Sequence, residues 1–181
     1  MCMPKMSRLC ACLMLMVLAC KGLAVMAAED VVQLGRAVTE AELQEWDLIV
    51  MPDGTGLPVG QGSAEQGRAV YEQQCAACHG ATGLGMPSVP ALANDASSQT
   101  GALVRTVGNY WPYATTLFDY IRRAMPPTAP KSLSSEQTYQ VVAYVLFLNG
   151  IIANDFELTQ SNLPAITMPN KDGFVDRSQV Q

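Results

Sequence analysis

The only histidine of the 181-residue chain, His79, directly follows two cysteines in the run Cys75-Ala76-Ala77-Cys78-His79. That run is the attachment signature of a c-type haem, a rigid macrocycle around which a chain has to close. Residues three and four apart share one face of a helix. Cys75, Cys78 and His79 then point the same way, two thiols toward vinyl groups and one imidazole toward iron. A tetrahedral zinc site would use the same cysteine pair as half of its ligand set. A thioredoxin-like redox pair would need a strand-to-helix context. Beyond the leader described next, no further Cys or His completes a zinc set, and no such strand is visible.

The first residues have the pattern of an export signal. Lys5 and Arg8 make a basic start, Leu9 to Cys20 is an unbroken apolar run, and small residues follow through Ala28. Cleavage after Ala27 or Ala28 fits the small-residue rule. Twelve apolar residues stopped by Lys21 are too few for a bilayer, which takes about 20. An exported, soluble, periplasmic protein is therefore expected. Val17-Leu18-Ala19-Cys20 loosely resembles a bacterial lipobox, and processing there would instead leave an acylated Cys20.

Four of the six cysteines (Cys2, Cys10, Cys12, Cys20) lie in this leader. The two that remain are consumed by haem, so no disulfide framework is expected even in a compartment that permits one. Removing Lys5, Arg8 and Lys21 with no acid takes the formal charge from −5 to −8. Such a balance argues against nucleic acid and anionic membrane surfaces and favours a partner with a basic docking face. Acidity that serves only solubility is the alternative reading of the same charge.

The mature chain divides into an arm at 29–61, a central domain at 62–150 and an extension at 151–181. The arm carries seven acids against one base and then a Gly/Pro-rich stretch from Met51 to Gly60. Thr39 to Trp46 is predicted to form a short helix with Thr39 and Glu42 in capping register, and Trp46 is expected to be buried. Ser63 and Gln66 form a capping box ahead of the helix that leads into Cys75. Gly67 in mid-helix costs about 1 kcal/mol relative to Ala, which points to a close crossing by another helix. The expected crosser starts at Ser134 with Gln137 in register, presents Tyr139, Val142, Ala143, Leu146 and Phe147 as an apolar stripe, and stops at Asn149-Gly150. Further short helices are predicted over 101–107 and 115–124, the latter stopped by Pro126-Pro127. No alternating strand is visible, so the fold is expected to be all-α with long loops around the haem.

With His79 used, the sixth ligand is methionine, lysine, water or nothing. Met86 lies seven residues after His79 and would need the chain to swing at once around the ring edge, and Met51 and Met168 sit in arm and tail. Met125 ends the 115–124 helix and is stiffened by the following prolines, which makes it the best candidate; the plainer reading is a gap-filling core methionine. His/Met ligation raises the potential and suits electron carriers. Pro90 or a neighbour is the expected carbonyl acceptor for the second ring nitrogen of His79, with Leu92 packed on the ring. Arg105, Tyr110, Trp111 and Tyr113 are candidates for the propionate end, since their N–H and O–H groups can satisfy carboxylates. A peroxidase would need a displaceable sixth position with acid–base help, and a sensor an output module. Neither is visible.

Residues 62–150, with Gly67 and Tyr71, Cys75 to His79, Pro90-x-Leu92, Met125-Pro126 and the Tyr144-bearing last helix, resemble a single-haem cytochrome c domain. The run from Thr106-Val107-Gly108-Asn109-Tyr110-Trp111 to Arg123-Ala124-Met125-Pro126 is similar to the cytochrome subunit of the bacterial sulfur-oxidation (Sox) sulfane dehydrogenase, whose relatives accompany sulfite-oxidase-like molybdenum enzymes. Trp46-Asp47 and Pro52 to Pro58 in the arm, and Met168 to Phe174 in the tail, are similar to the same group. The resemblance implies one haem c on Cys75, Cys78, His79 and Met125. It also implies electron uptake from a molybdenum dehydrogenase acting on sulfite or sulfane sulfur, a downstream cytochrome or oxidase as acceptor, and substrate oxidation on the partner. The best-known subunits of that group carry two haems, whereas this chain has a single attachment motif. A shortened relative serving a different periplasmic dehydrogenase, such as a quinoprotein, is therefore the alternative.

Pyridine haemochrome analysis of the matured protein is expected to give one haem per polypeptide. Replacing both Cys75 and Cys78 by Ala should abolish covalent retention through acid-acetone extraction.

Overall fold

Residues 35–94 and 104–174 are described by a computed structural model. The expected leader, with Cys20, lies outside the described residues. The described residues from Glu40 onward form one compact unit.

Its elements follow in chain order. Helix α1 spans Glu40–Trp46 and strand β1 spans Gln61–Ser63. Helix α2 runs over Ala64–Gln74, followed at once by the single turn α3, Ala76–His79. A short helix α4 (Val107–Tyr110) precedes α5 (Ala114–Ala124) and the long α6 (Ser135–Leu148). Strand β2 (Glu157–Thr159) and a 3-10 turn (Leu163–Ala165) come last among the described residues. The fold is mostly helical. Among the described residues no helix is long and apolar enough to cross a membrane.

The capping boxes read from the sequence at Ser63 and Ser134 are present. Ser63 Oγ accepts from Gln66 N at 3.3 Å while Gln66 Oε1 accepts from Ser63 N at 3.0 Å. Ser134 and Gln137 repeat the exchange at 3.1 and 2.9 Å. Each box satisfies two donors that a helix start otherwise leaves open. Helices α2 and α6 therefore begin where local chemistry dictates.

Those helices, α2 and α6, cross at Gly67. A Cβ there would point straight into the backbone carbonyl of Gln140. Tyr71 of α2 packs on Tyr144 of α6 with ring centroids 5.1 Å apart, and the Arg68 guanidinium lies 5.5 Å from the Tyr144 ring. Helix α6 is covered on more sides than a single stripe requires, since Val141, Tyr144 and Val145 are buried along with Tyr139, Val142, Ala143 and Leu146. A helix apolar all round belongs in the middle of a core. The remaining elements accordingly pack around it.

Three expectations are corrected. A small antiparallel sheet exists, with Gln61 opposite Thr159, Gly62 opposite Leu158 and Ser63 opposite Glu157. Each strand has three residues, too few for alternation to register. The helix expected over 101–107 begins instead at Val107; part of that stretch lies outside the described residues. Thr106 N donates to Asn109 Oδ1 at 2.7 Å, which starts the helix late. Trp46, expected inside, is 73 % exposed and lies under the Lys131 ammonium at 4.8 Å. Among its described residues the arm joins the buried core at Val50 and Leu57, after α1 has ended.

Substituting Gly67 by Ala should lower stability, although Ala gains about 1 kcal/mol of helix propensity. Overpacking costs about 1–3 kcal/mol where neighbours cannot yield, and here the neighbour is backbone. Urea titration of the G67A variant is the measurement. A midpoint above wild type would show that the helices separate freely.

Candidate haem site

The attachment motif sits where α2 ends. Tyr71 O still accepts Cys75 N at 2.8 Å, but Cys75 leaves the helix (φ −123°, ψ −37°) and α3 starts anew behind it. Cys75 O then accepts both Cys78 N at 3.1 Å and His79 N at 2.9 Å. One turn thus holds both thiols and the imidazole. Cys75 is half-buried, Cys78 exposed, and neither forms a disulfide.

His79 Nδ1 lies 3.0 Å from the Pro90 carbonyl oxygen, which leaves Nε2 as the nitrogen available to a metal. Pro90 is carried by a loop closed mainly through backbone. Gly85 N donates to His79 O at 2.9 Å, and Gly83 O accepts from Leu92 N at 2.7 Å and Ala93 N at 3.0 Å. Gly85 has φ +83°, and a Cβ there would lie 2.8 Å from both Ala91 N and Val89 O. Only glycine permits this closure. Burial first, then the neighbouring Cys75 and Tyr144, pushes the Tyr71 hydroxyl up to about 12. It therefore stays protonated and donates to Gly80 O at 2.8 Å, fastening the start of the loop.

Leu92 is half-buried against the core, and its carbonyl takes Val107 N at 3.1 Å and Asn149 Nδ2 at 3.0 Å. Asn149 also donates to Val145 O at 2.8 Å and accepts Gly108 N at 3.1 Å. One amide therefore joins the His79 loop, α4 and the end of α6. The sequence reading treated Asn149 only as a helix stop. An amide side chain at the C-terminus of an apolar helix was the one available hint.

Met125 caps α5. Its N–H donates to Ile121 O at 3.0 Å, it is half-buried against the core, and buried Pro126 follows. Trp111 is also half-buried and meets Tyr120 edge-on at 5.6 Å. Arg105 and Tyr110 pair with each other at the surface, the guanidinium 4.9 Å from the ring centroid, and Tyr113 is exposed beside the start of α5. Met86 and Met51 are exposed, and Met168 is wholly buried in the core.

The donor set fits a covalent haem. Two unpaired thiols and an oriented imidazole share a turn, a thioether ends α5, and Cys75, Ala76, Leu92, Trp111, Met125 and Leu133 are apolar side chains left half-covered against one core. The rival chemistries fit poorly. Among the described residues no three His, Cys, Asp or Glu groups cluster as a metal site would require. Burial, with Cys78 beside it, pushes the Cys75 thiol up to about 11, opposite to the lowered value of a reactive redox cysteine.

Comparison with known proteins agrees with this chemistry. Residues 62–145 match the family model described as cytochrome c oxidase, cbb3-type, subunit III. The chain is similar to one in the crystal structure of the sulfane dehydrogenase SoxCD from Paracoccus pantotrophus, with 40 % identity and a TM-score of 0.74. That match covers 82 % of this chain and 75 % of the other. No curated protein matches significantly.

Asn149→Ala removes two donors and an acceptor at once, and with each bond worth about 0.5–1.5 kcal/mol it should cost roughly 2–3 kcal/mol. Hydrogen exchange is the sharper readout. The Gly108 amide should lose protection beyond the global change, and unaltered exchange there would show that Asn149 does not tie α4 to α6.

Proposed function

The chain belongs to the cytochrome c family, an electron-transfer cytochrome related to a SoxCD subunit, and on that premise we propose that it is a periplasmic subunit accepting electrons from a molybdenum dehydrogenase of the sulfite- or sulfane-oxidising type. The observation that carries this reading is the His79 turn, with Nδ1 engaged by Pro90, in a chain 40 % identical to one from a sulfane dehydrogenase.

Cys75 and Cys78 would hold haem c by thioether bonds, and His79 Nε2 and Met125 Sδ would be the atoms that ligate its iron. The bound group supplies a one-electron ferric/ferrous couple whose potential is raised by a thioether ligand. Protein groups do the rest. Pro90 O keeps the imidazole proton on Nδ1 and fixes the ring plane, while Leu92, Trp111 and Leu133, half-buried against the core, would help to keep water from the group. With His79 and Met125 both committed to the iron, substrate chemistry would belong to the partner.

Docking is the task of the exposed face. The acidic chain, with a formal charge of −5, suits a partner with a basic rim. Trp46 in the arm and Phe174 in the tail are exposed aromatic groups outside the central domain, suited to a desolvated contact centre. Truncating the tail cannot test this, because Leu158, Leu163 and Met168 belong to the core. Surface substitutions of Trp46 and Phe174 can.

Stopped-flow reduction of the matured protein should be fast with a sulfite- or sulfane-oxidising molybdenum dehydrogenase and its substrate, and should slow as salt is added. Rates independent of salt remove the charge-steered docking. Faster reduction by a quinoprotein dehydrogenase replaces the donor.

A further inference from the structure

Side chains on α5 reach out to the segment before β1. Thr115 Oγ1 donates to Pro52 O at 3.1 Å, Asp119 Oδ1 accepts Val50 N at 2.9 Å, and Arg122 Nη1 is 3.5 Å from Gly56 O. Spacings of four and three place these groups on one helix face. The segment they grip is stiffened by its own turns, Met51 N to Thr55 O at 2.9 Å, Gly54 N to Met51 O at 2.9 Å and Leu57 N to Gly54 O at 3.1 Å. Its far end is pinned as well. Gln160 Nε2 donates to Leu57 O at 2.7 Å and Tyr139 Oη to Pro58 O at 2.9 Å. Residues 50–58 therefore form a strap tied to the tail and α6 at one end and to α5 at the other.

Asp119 is the charged knot of this strap. Its side chain is 12 % exposed, and besides Val50 N–H it takes the Arg123 fork, Nε on Oδ1 at 2.9 Å and Nη2 on Oδ2. Val50 is 6 % exposed, so without the carboxylate its N–H would be a buried donor lacking a partner. Charge-assisted bonds of this kind are about twice as strong as neutral ones. Arg123 stands two residues before Met125, whose own N–H is bonded to Ile121 O within the same last turn. The geometry points to Asp119 as a positioning residue for the Met125 thioether: it locks the last turn of α5 to the 50–58 strap and so resists displacement of the sulfur from iron.

This rests on Met125 being the sulfur ligand, and the experiment separates the two ideas. In the full matured chain, the ferric far-red sulfur-to-iron band should vanish in Met125→Ala. A band that persists there overturns the ligand assignment and leaves the strap contacts untouched. Asp119→Asn should keep the band at room temperature but bind exogenous imidazole, which replaces the thioether, about tenfold faster than wild type. The band should also be lost at a lower temperature than the far-ultraviolet helix signal. Leu158→Ala, a core truncation in β2 away from α5, is the control for general weakening. It should lower the unfolding midpoint while leaving the imidazole rate at the wild-type value. A wild-type imidazole rate in Asp119→Asn, or equal acceleration in Leu158→Ala, overturns the positioning role.

Discussion

The contact on which the molecule depends is the crossing of α2 over α6 at Gly67, where one helix lies directly on the Gln140 carbonyl of the other. Its consequence is positional. Helix α2 ends at the Cys75 turn and α6 ends at Asn149, so the separation and angle of one crossing place both the attachment motif and the anchor of the His79 loop. A side chain at the crossing would drive the helices apart and move both ends together. Close-packed interiors transmit such displacements because they have no slack to absorb them.

The arm and tail complete this arrangement. Strand β1 immediately precedes α2 and pairs with β2 from the far end of the chain, while Gly62 and Gly60 lie against Gln140 and Tyr139 of α6. Val50, Leu57, Leu158, Leu163 and Met168 join the same apolar cluster as Tyr71 and Leu146. Segments outside the cytochrome c core thus contribute to the core of the whole unit. The Gly/Pro-rich stretch of the arm reflects tight turns of its own backbone, as at Gly56, whose missing Cβ would point into the Ile49 carbonyl.

What could be read from sequence was chemistry confined to a few neighbouring residues. The attachment motif, the boxes at Ser63 and Ser134, the stop after Ala124 and the demand for a close approach at Gly67 all depend on spacings of at most four residues or on one residue's missing side chain. What stayed hidden depends on partners far along the chain. Gly62 and Leu158 make a sheet only because the fold brings them together, Asn149 reaches Leu92 across 57 residues, and Asp119 reaches Val50 across 69. Trp46 was misjudged for a related reason. Aromatic character favours burial on average, yet the ring caps Lys131 at the surface and the arm turns inward only at Val50.

The two sides of the site are held by different physics. On the His79 side the constraints are largely neutral: carbonyl acceptors, Gly-permitted turns, the Tyr71 hydroxyl and one amide. On the Met125 side the closest constraint is a carboxylate–guanidinium pair that also takes a buried N–H. Neutral hydrogen bonds respond weakly to a nearby change of charge, whereas a half-buried ion pair responds to it through a low local dielectric. An electron carrier changes its charge by one unit at each turnover, so the sensitivity is unequal. On the proposed ligation the histidine side would supply a fixed frame, and the methionine side would be where oxidation state and chain are coupled. The strap on α5 would then limit how far the thioether end can follow each change in charge.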